Sequence, residues 1–267
     1  MLKLLWCEFA KLRRKPLFFA AAAVSALIPL GCALFLPDFQ EFTSGAEAVD
    51  GMMSTLFQMS AYLLLMPALV VLASNLLFEE QDNDTLKSLM TVPVSKPALA
   101  MAKMALLFLF SIAFMAVGGL VILVIVLAAG WEPVGFWRLF FVGIGQGIMM
   151  WAGALPCILL VVLLNRSYIV SVIITFFYTS VNYIFGLNDL FITQPFGLNL
   201  GTLLPGPLTF RWYFQYLDFS NAGTEMLGLL ERVSPYFVTT AQAFLVTGAE
   251  AAVFLALIAL VYKRQGA

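Results

Sequence analysis

At 267 residues, 62% hydrophobic and 11% charged, the chain is too apolar for a water-soluble domain, in which about a quarter of residues are charged. A net charge of −1 identifies no partner by itself, and nothing in it calls for nucleic acid; the absence of histidine excludes histidine metal sites and histidine-based catalytic triads. Apolar runs of about twenty residues recur, long enough to cross a ~30 Å hydrocarbon core, and strands of alternating polarity do not, so the fold class is all-α: a polytopic membrane protein with six transmembrane helices and an N-terminal interfacial amphipathic helix.

Residues 1–16 supply that first helix. Leu2, Leu5, Trp6, Phe9 and Leu12 fall on one arc at helical period, with Lys3, Lys11, Arg14 and Lys15 opposite. The pattern predicts a helix lying flat in the membrane interface, its basic face toward anionic lipid head groups. The next apolar run, 17–36, follows basic residues as a secretory signal would. It contains Pro29-Leu30-Gly31-Cys32, unlike a lipoprotein signal, and is expected to stay as an anchor.

The other predicted spans are 56–78, 104–129, 136–164, 168–187 and 239–262. Arg138 near the start of the fourth suggests tilt or an interfacial start. Pro29, Pro67 and Pro156 lie inside spans and should kink them. Six spans place both termini on one side. That side holds eleven cations (Lys3, Lys11, Arg13, Arg14, Lys15, Lys87, Lys96, Lys103, Arg166, Lys263 and Arg264) against Arg138, Arg211 and Arg232 on the other. Under the positive-inside rule both termini are then cytoplasmic. Cys7, Cys32 and Cys157 have no pair spacing and read as small apolar side chains.

The cytoplasmic connection 79–103 carries Glu79, Glu80, Asp82, Asp84, Lys87, Lys96 and Lys103. Asp82, Asn83 or Asp84 can cap a helix running through Thr85 to Met90, with acids at its positive end and Pro93 as its stop. Leu86, Leu89 and Met90 make a short apolar ridge at i, i+3, i+4. A capped helix with an apolar ridge and a charged rim has the dimensions of a docking element for a soluble partner. The outer loop 188–238 combines four prolines (Pro195, Pro205, Pro207 and Pro235) with aromatic density too high for a solvated linker. Its Trp212, Tyr213, Phe214 and Tyr216 are expected at or dipping into the outer interface, as an aromatic anchor or as a surface meeting an amphiphilic substrate.

Within the spans, polar groups are scarce. Glu250 lies mid-way along the last one, among Gly248, Ala249, Ala251 and Ala252, and three readings stay open. It is protonated and bonded to another span, paired with a cation of a partner subunit, or part of a transport route for basic groups. Gln146 and Asn182 are further polar candidates for that route, or for bonds between helices. The outer side carries nine acids, among them Glu47, Asp50 and Asp218. Their field would concentrate cationic peptides, and it is equally what the positive-inside rule leaves behind. No Gly-x-x-x-x-Gly-Lys-Ser/Thr occurs, so the chain has no P-loop for ATP.

The start "CEFAKLRRKP" and the connection "EEQDNDTLKSLMTVPVSKPALAMAK" resemble those of six-span ABC exporter permeases of type 2. Thr85, Leu89, Pro93, Val94, Ser95 and Lys103 stand where that family has its pattern; Asp84 replaces the usual glycine and Lys96 the usual arginine. The resemblance implies that the connection is a coupling helix seated on a nucleotide-binding subunit, through Glu79, Glu80, Asp84, Thr85, Leu86, Leu89, Met90 and Pro93. It implies ATP and Mg on that ABC ATPase subunit, with no cofactor, metal or catalytic residue on this chain. It also implies a second permease subunit, the same or related, and a bacterial cytoplasmic membrane. The short length and "KLRRKP" start look most like the lantibiotic-protection branch, which implies an antimicrobial peptide as substrate. A lipid or hydrophobic-drug exporter, or an ion-coupled secondary transporter using Glu250, are the alternatives.

Overall fold

A computed structural model describes residues 2–12, 16–35, 42, 44–82, 95–164, 168–219 and 223–264. Among them every regular element is a helix. The amphipathic helix α1 (Leu2–Leu12) sends Leu5 and Phe9 onto the core of the bundle. Trp6, placed on the same arc by periodicity, is instead 70% exposed. Helix α2 (Pro16–Phe35) opens on a proline, whose missing N–H costs nothing in a first turn, and continues through Pro29.

The second long element starts earlier than its hydropathy suggests. Helix α3 (Gly45–Thr55) leads without a break into a π-helical stretch, Leu56–Leu65, and then α4 (Met66–Asp82). Ser44 caps α3, its hydroxyl accepting the Glu47 N–H at 3.3 Å, half of a capping box. The apolar helix Gly45–Leu77 has 33 residues. At about 1.5 Å per residue it outruns a ~30 Å hydrocarbon core, so polar α3 overhangs the apolar stretch that follows it. The widened helical register ends just before Pro67, which has no N–H to extend the ladder and crowds the preceding turn.

Helix α5 (Lys96–Ala128) takes Pro97 in its first turn and begins eight residues before the predicted span, so Lys103 lies inside it and not in a connection. Gly130, at φ 78°, turns the chain toward α6 (Phe136–Leu164), which runs through Pro156. After α7 (Tyr168–Gly186) the long loop is almost wholly structured. It holds α8 (Asp189–Ile192), α9 (Leu200–Leu203), α10 (Pro205–Tyr213) with a 3-10 turn over Phe214–Tyr216, and α11 (Thr224–Val233) with a 3-10 turn over Ser234–Tyr236. Helix α12 (Thr240–Arg264) closes the chain.

Helix α6 is the centre of the bundle, packed on α4, α5 and α12. Of its most apolar stretch 72% is buried, against 17% for α12. Large apolar side chains left outside, such as Phe176, Phe177 and Ile184 on α7 and Leu245, Val253 and Leu260 on α12, suit contact with acyl chains. The chain is an all-α polytopic membrane protein.

Helix α10 departs most from an interfacial loop, since all nine of its residues are buried. It enters the bundle between α7, α6 and the π-helical stretch. Closest approach is at Gly206, where a Cβ would collide with the Asn182 carbonyl. The Asn182 side chain accepts the Gly206 N–H at 3.3 Å, and the Tyr62 hydroxyl donates to the Gly206 carbonyl at 3.0 Å and pairs with Thr209. At the other end of α10, Trp212 lies over Gly145 and donates to the Thr240 hydroxyl at 3.1 Å, fastening the loop to the head of α12.

Candidate functional site

Two regions outside the apolar core gather charge, one at each end of the bundle. At the end carrying α1, a buried ionic clasp joins three elements. Glu8 is only 2% exposed and Lys103 not at all. The Lys103 ammonium donates to the Leu76 carbonyl of α4 and lies 3.8 Å from one Glu8 oxygen. The other oxygen of Glu8 takes the Lys11 ammonium at 2.7 Å. An ammonium shielded from water by apolar packing needs this combination of carbonyl and carboxylate. Helices α4 and α5 are the two that flank residues 83–94, so the clasp ties α1 to both roots of that connection. Asp84, Thr85, Leu86, Leu89, Met90 and Pro93 lie outside the described residues; Glu79 and Glu80 are in the last turns of α4, their side chains likewise outside the description.

Glu8 escaped the sequence reading as a site residue although a signal was present. It sits one turn from Leu5 and Leu12, at the edge of the apolar arc of α1, where a solvated acid does not belong.

Gln146, Asn182 and Glu250 share no hydrogen bond with one another, although Asn182 and Glu250 both lie near Tyr178. Gln146 donates to the Phe57 carbonyl at 2.8 Å, tying α6 to the π-helical stretch. Asn182 is engaged with Gly206 and donates to the Tyr178 carbonyl at 2.9 Å. Glu250 is half-buried on α12 and shares no hydrogen bond with either. The aromatic surface expected in the loop is largely interior: Trp212, Tyr213 and Phe214 are 3%, 0% and 1% exposed, and Tyr216 is half-buried with its hydroxyl 2.8 Å from that of Thr240. Aromatic density there marks packing, because α10 buries every face, and these four side chains do not form an open surface.

At the opposite end, between α3 and the chain after α10, lies a cavity of about 290 Å³. Its wall on α3 carries Glu47, Asp50, Gly51 and Ser54, with Gln58 below; Phe214, Asp218, Phe219 and Met226 face them. Asp50 accepts the Asp218 N–H. Burial pushes the Asp50 carboxyl up to about 6, opposed by that hydrogen bond, raised again by the Asp218 charge and lowered by Arg138. Among the described residues no three acids or cysteines converge as a metal-ligating group. Sequence reading counted these acids as part of a diffuse outer field; only the overhang of α3 against the folded loop brings them to one cavity.

Residues 4–182, more than half of the chain, match the family described as ABC-2 family transporter protein. The chain belongs to the ABC-2 transporter family. It is therefore a membrane transport subunit, not itself catalytic, of a kind that associates with an ABC ATPase subunit. No curated protein matches it. The matched region contains all but the first two residues of α1, the clasp, the connection 83–94 and the cavity wall on α3.

Proposed function

We propose that this ABC-2 family protein is the permease subunit of an ATP-driven exporter that expels an amphiphilic substrate, a lantibiotic-like cationic peptide being the preferred one. The family match carries the class of function. The acidic, aromatic cavity at the end opposite α1 favours a cationic amphiphile over a neutral lipid or drug. The positive charge gathered at the α1 end supports a cytoplasmic position for both termini in a bacterial inner membrane.

In this reading ATP and Mg are bound by the partner ATPase, which seats on 83–94 through Leu86, Leu89 and Met90 with Glu79, Glu80, Asp84, Thr85 and Pro93 around them. The clasp of Glu8, Lys11 and Lys103 passes the motion of that seat to α1, α4 and α5 together. Two motor domains face two membrane halves, so a second permease subunit completes the complex, with lipids around it.

The test is purification of the full-length tagged chain from native membranes in mild detergent, beside a Leu86→Asp, Leu89→Asp double variant. Wild type is expected to retain a P-loop ATPase with measurable ATP hydrolysis, and the double variant to lose both. Wild type that retains no ATPase overturns the proposal.

A further inference from the structure

The 290 Å³ cavity between α3 and residues 214–219 and 223–226 combines volume, aromatic walls and an acidic rim. It is a recess open on one side, with room for one side-chain-sized group. Its floor is aromatic: Phe214 stacks on Phe210 with centroids 4.8 Å apart, and Phe219 tilts against Phe214 at the same separation. Its rim is acidic, with Glu47, Asp50 and Asp218 lining it and Arg138 the cation acting on Asp50. One Asp50 oxygen takes the Asp218 N–H, and a carboxylate has acceptor positions beyond that one.

Below the floor a second, small void shares Gln58 with the cavity and is lined by Tyr62, Tyr183 and Tyr213. The Tyr213 hydroxyl there is fully buried, with the Gln58 side chain as its polar neighbour. Aromatic faces and carboxylates together recognise a cation on an apolar stem, since the rings attract positive charge and bury the stem while the acids bind the head. A bare metal ion would have no use for the rings.

We propose that this cavity binds a hydrophobic cation, an ammonium or guanidinium group on an aromatic or alkyl stem. The proposal rests on the exporter reading for its biological sense and names the substrate group that this end of the protein takes. Asp50 and Asp218 hold the charged head, and Phe214, Phe219 and Met226 hold the stem.

The full-length protein in phosphatidylcholine nanodiscs, titrated calorimetrically with arginyl-tryptophan amide, tests it. Saturable one-site binding is expected, with the neutral citrulline analogue weaker by about tenfold or more, the size of a lost charge-assisted hydrogen bond. Asp50→Asn is expected to weaken the arginine dipeptide by a similar factor, and Met226→Trp, which fills the cavity, to abolish binding. Glu231→Gln, exposed and away from the cavity, is expected to bind as wild type does. In discs of phosphatidylethanolamine, whose head group is a primary ammonium, weakened dipeptide binding marks a lipid-borne cation as the competitor and unchanged binding marks a peptide-borne one. Equal affinity for the arginine and citrulline dipeptides, or no loss with Asp50→Asn and Met226→Trp, overturns the proposal. Because the titration needs no ATPase, a failed titration with an ATPase still co-purifying sinks the cavity and leaves the exporter reading standing.

Discussion

Substituting Gly206 by alanine tests the entry of α10 into the bundle. The added Cβ collides with the Asn182 carbonyl, part of the backbone of α7, so it is α10 that must retreat. Retreat stretches the Gly206 N–H to Asn182 bond of 3.3 Å and the Tyr62 to Gly206 carbonyl bond of 3.0 Å. Two such bonds contribute about 2 kcal/mol net, and overpacking a filled site costs about 1–3 kcal/mol more. Alanine's better helix propensity returns roughly 1 kcal/mol, leaving a net loss of about 2–4 kcal/mol. At roughly 2–4 °C per kcal/mol for a chain of this size, Tm should fall by about 5–15 °C. The assay is thermal unfolding of the detergent-purified full-length protein by tryptophan fluorescence. Gly228→Ala is the control, since Gly228 lies in α11 with no heavy atom within 4 Å of the added Cβ. Alanine there is expected to hold or raise Tm. Equal shifts for the two variants would refute the placement of α10.

Glu8→Gln removes the carboxylate shared by Lys11 and Lys103, at a cost of about 2–3 kcal/mol for a buried pair whose lysine keeps its carbonyl partner. Hydrogen exchange over residues 2–12 should rise in that variant, and unchanged protection would show that the clasp does not hold α1. Asp50 has a carboxyl pushed up from 3.8 to about 6, facing Glu47 on its own helix, Asp218 from the loop and Arg138 from α6. Its folded state binds the proton more tightly than its unfolded state, so it lowers stability above pH 6 and ceases to do so as pH falls through 6 toward 4. Asp50→Asn should therefore raise Tm at pH 7 and flatten the profile between pH 6 and 4; an unaltered profile assigns the titration elsewhere. Binding of a cation to the cavity should strengthen as pH rises through 6, when Asp50 ionises, and pH-independent affinity would count against a role for Asp50 in holding the head group.

Helix content and the long apolar elements were legible because a hydrocarbon environment demands long uncharged runs whose backbone bonds close within each segment. Boundaries were less so. Hydropathy places the start of one span near Leu56 and of another near Met104, while the helices begin at Gly45 and Lys96, since a helix continues past the apolar stretch wherever a cap and neighbours support it. The Ser44–Glu47 spacing was the available signal for the first. Trp212, Tyr213 and Phe214 were visible as an aromatic cluster, but composition does not distinguish an interfacial belt from a buried core. That depends on Gly206, Asn182 and Tyr62 meeting from three elements far apart in sequence.

The sequence alone determined that this chain spans a membrane, that it has no P-loop, and that positive charge gathers beside its termini, because these follow from composition and order along the chain. Tertiary structure decided that Lys103 is buried against Glu8 and Leu76, that α10 lies inside the bundle, and that Glu47, Asp50 and Asp218 share one cavity. The reason is physical: solvation of a charge and the cost of burying it are set by what packs against it, and those neighbours come from helices that only the fold brings together.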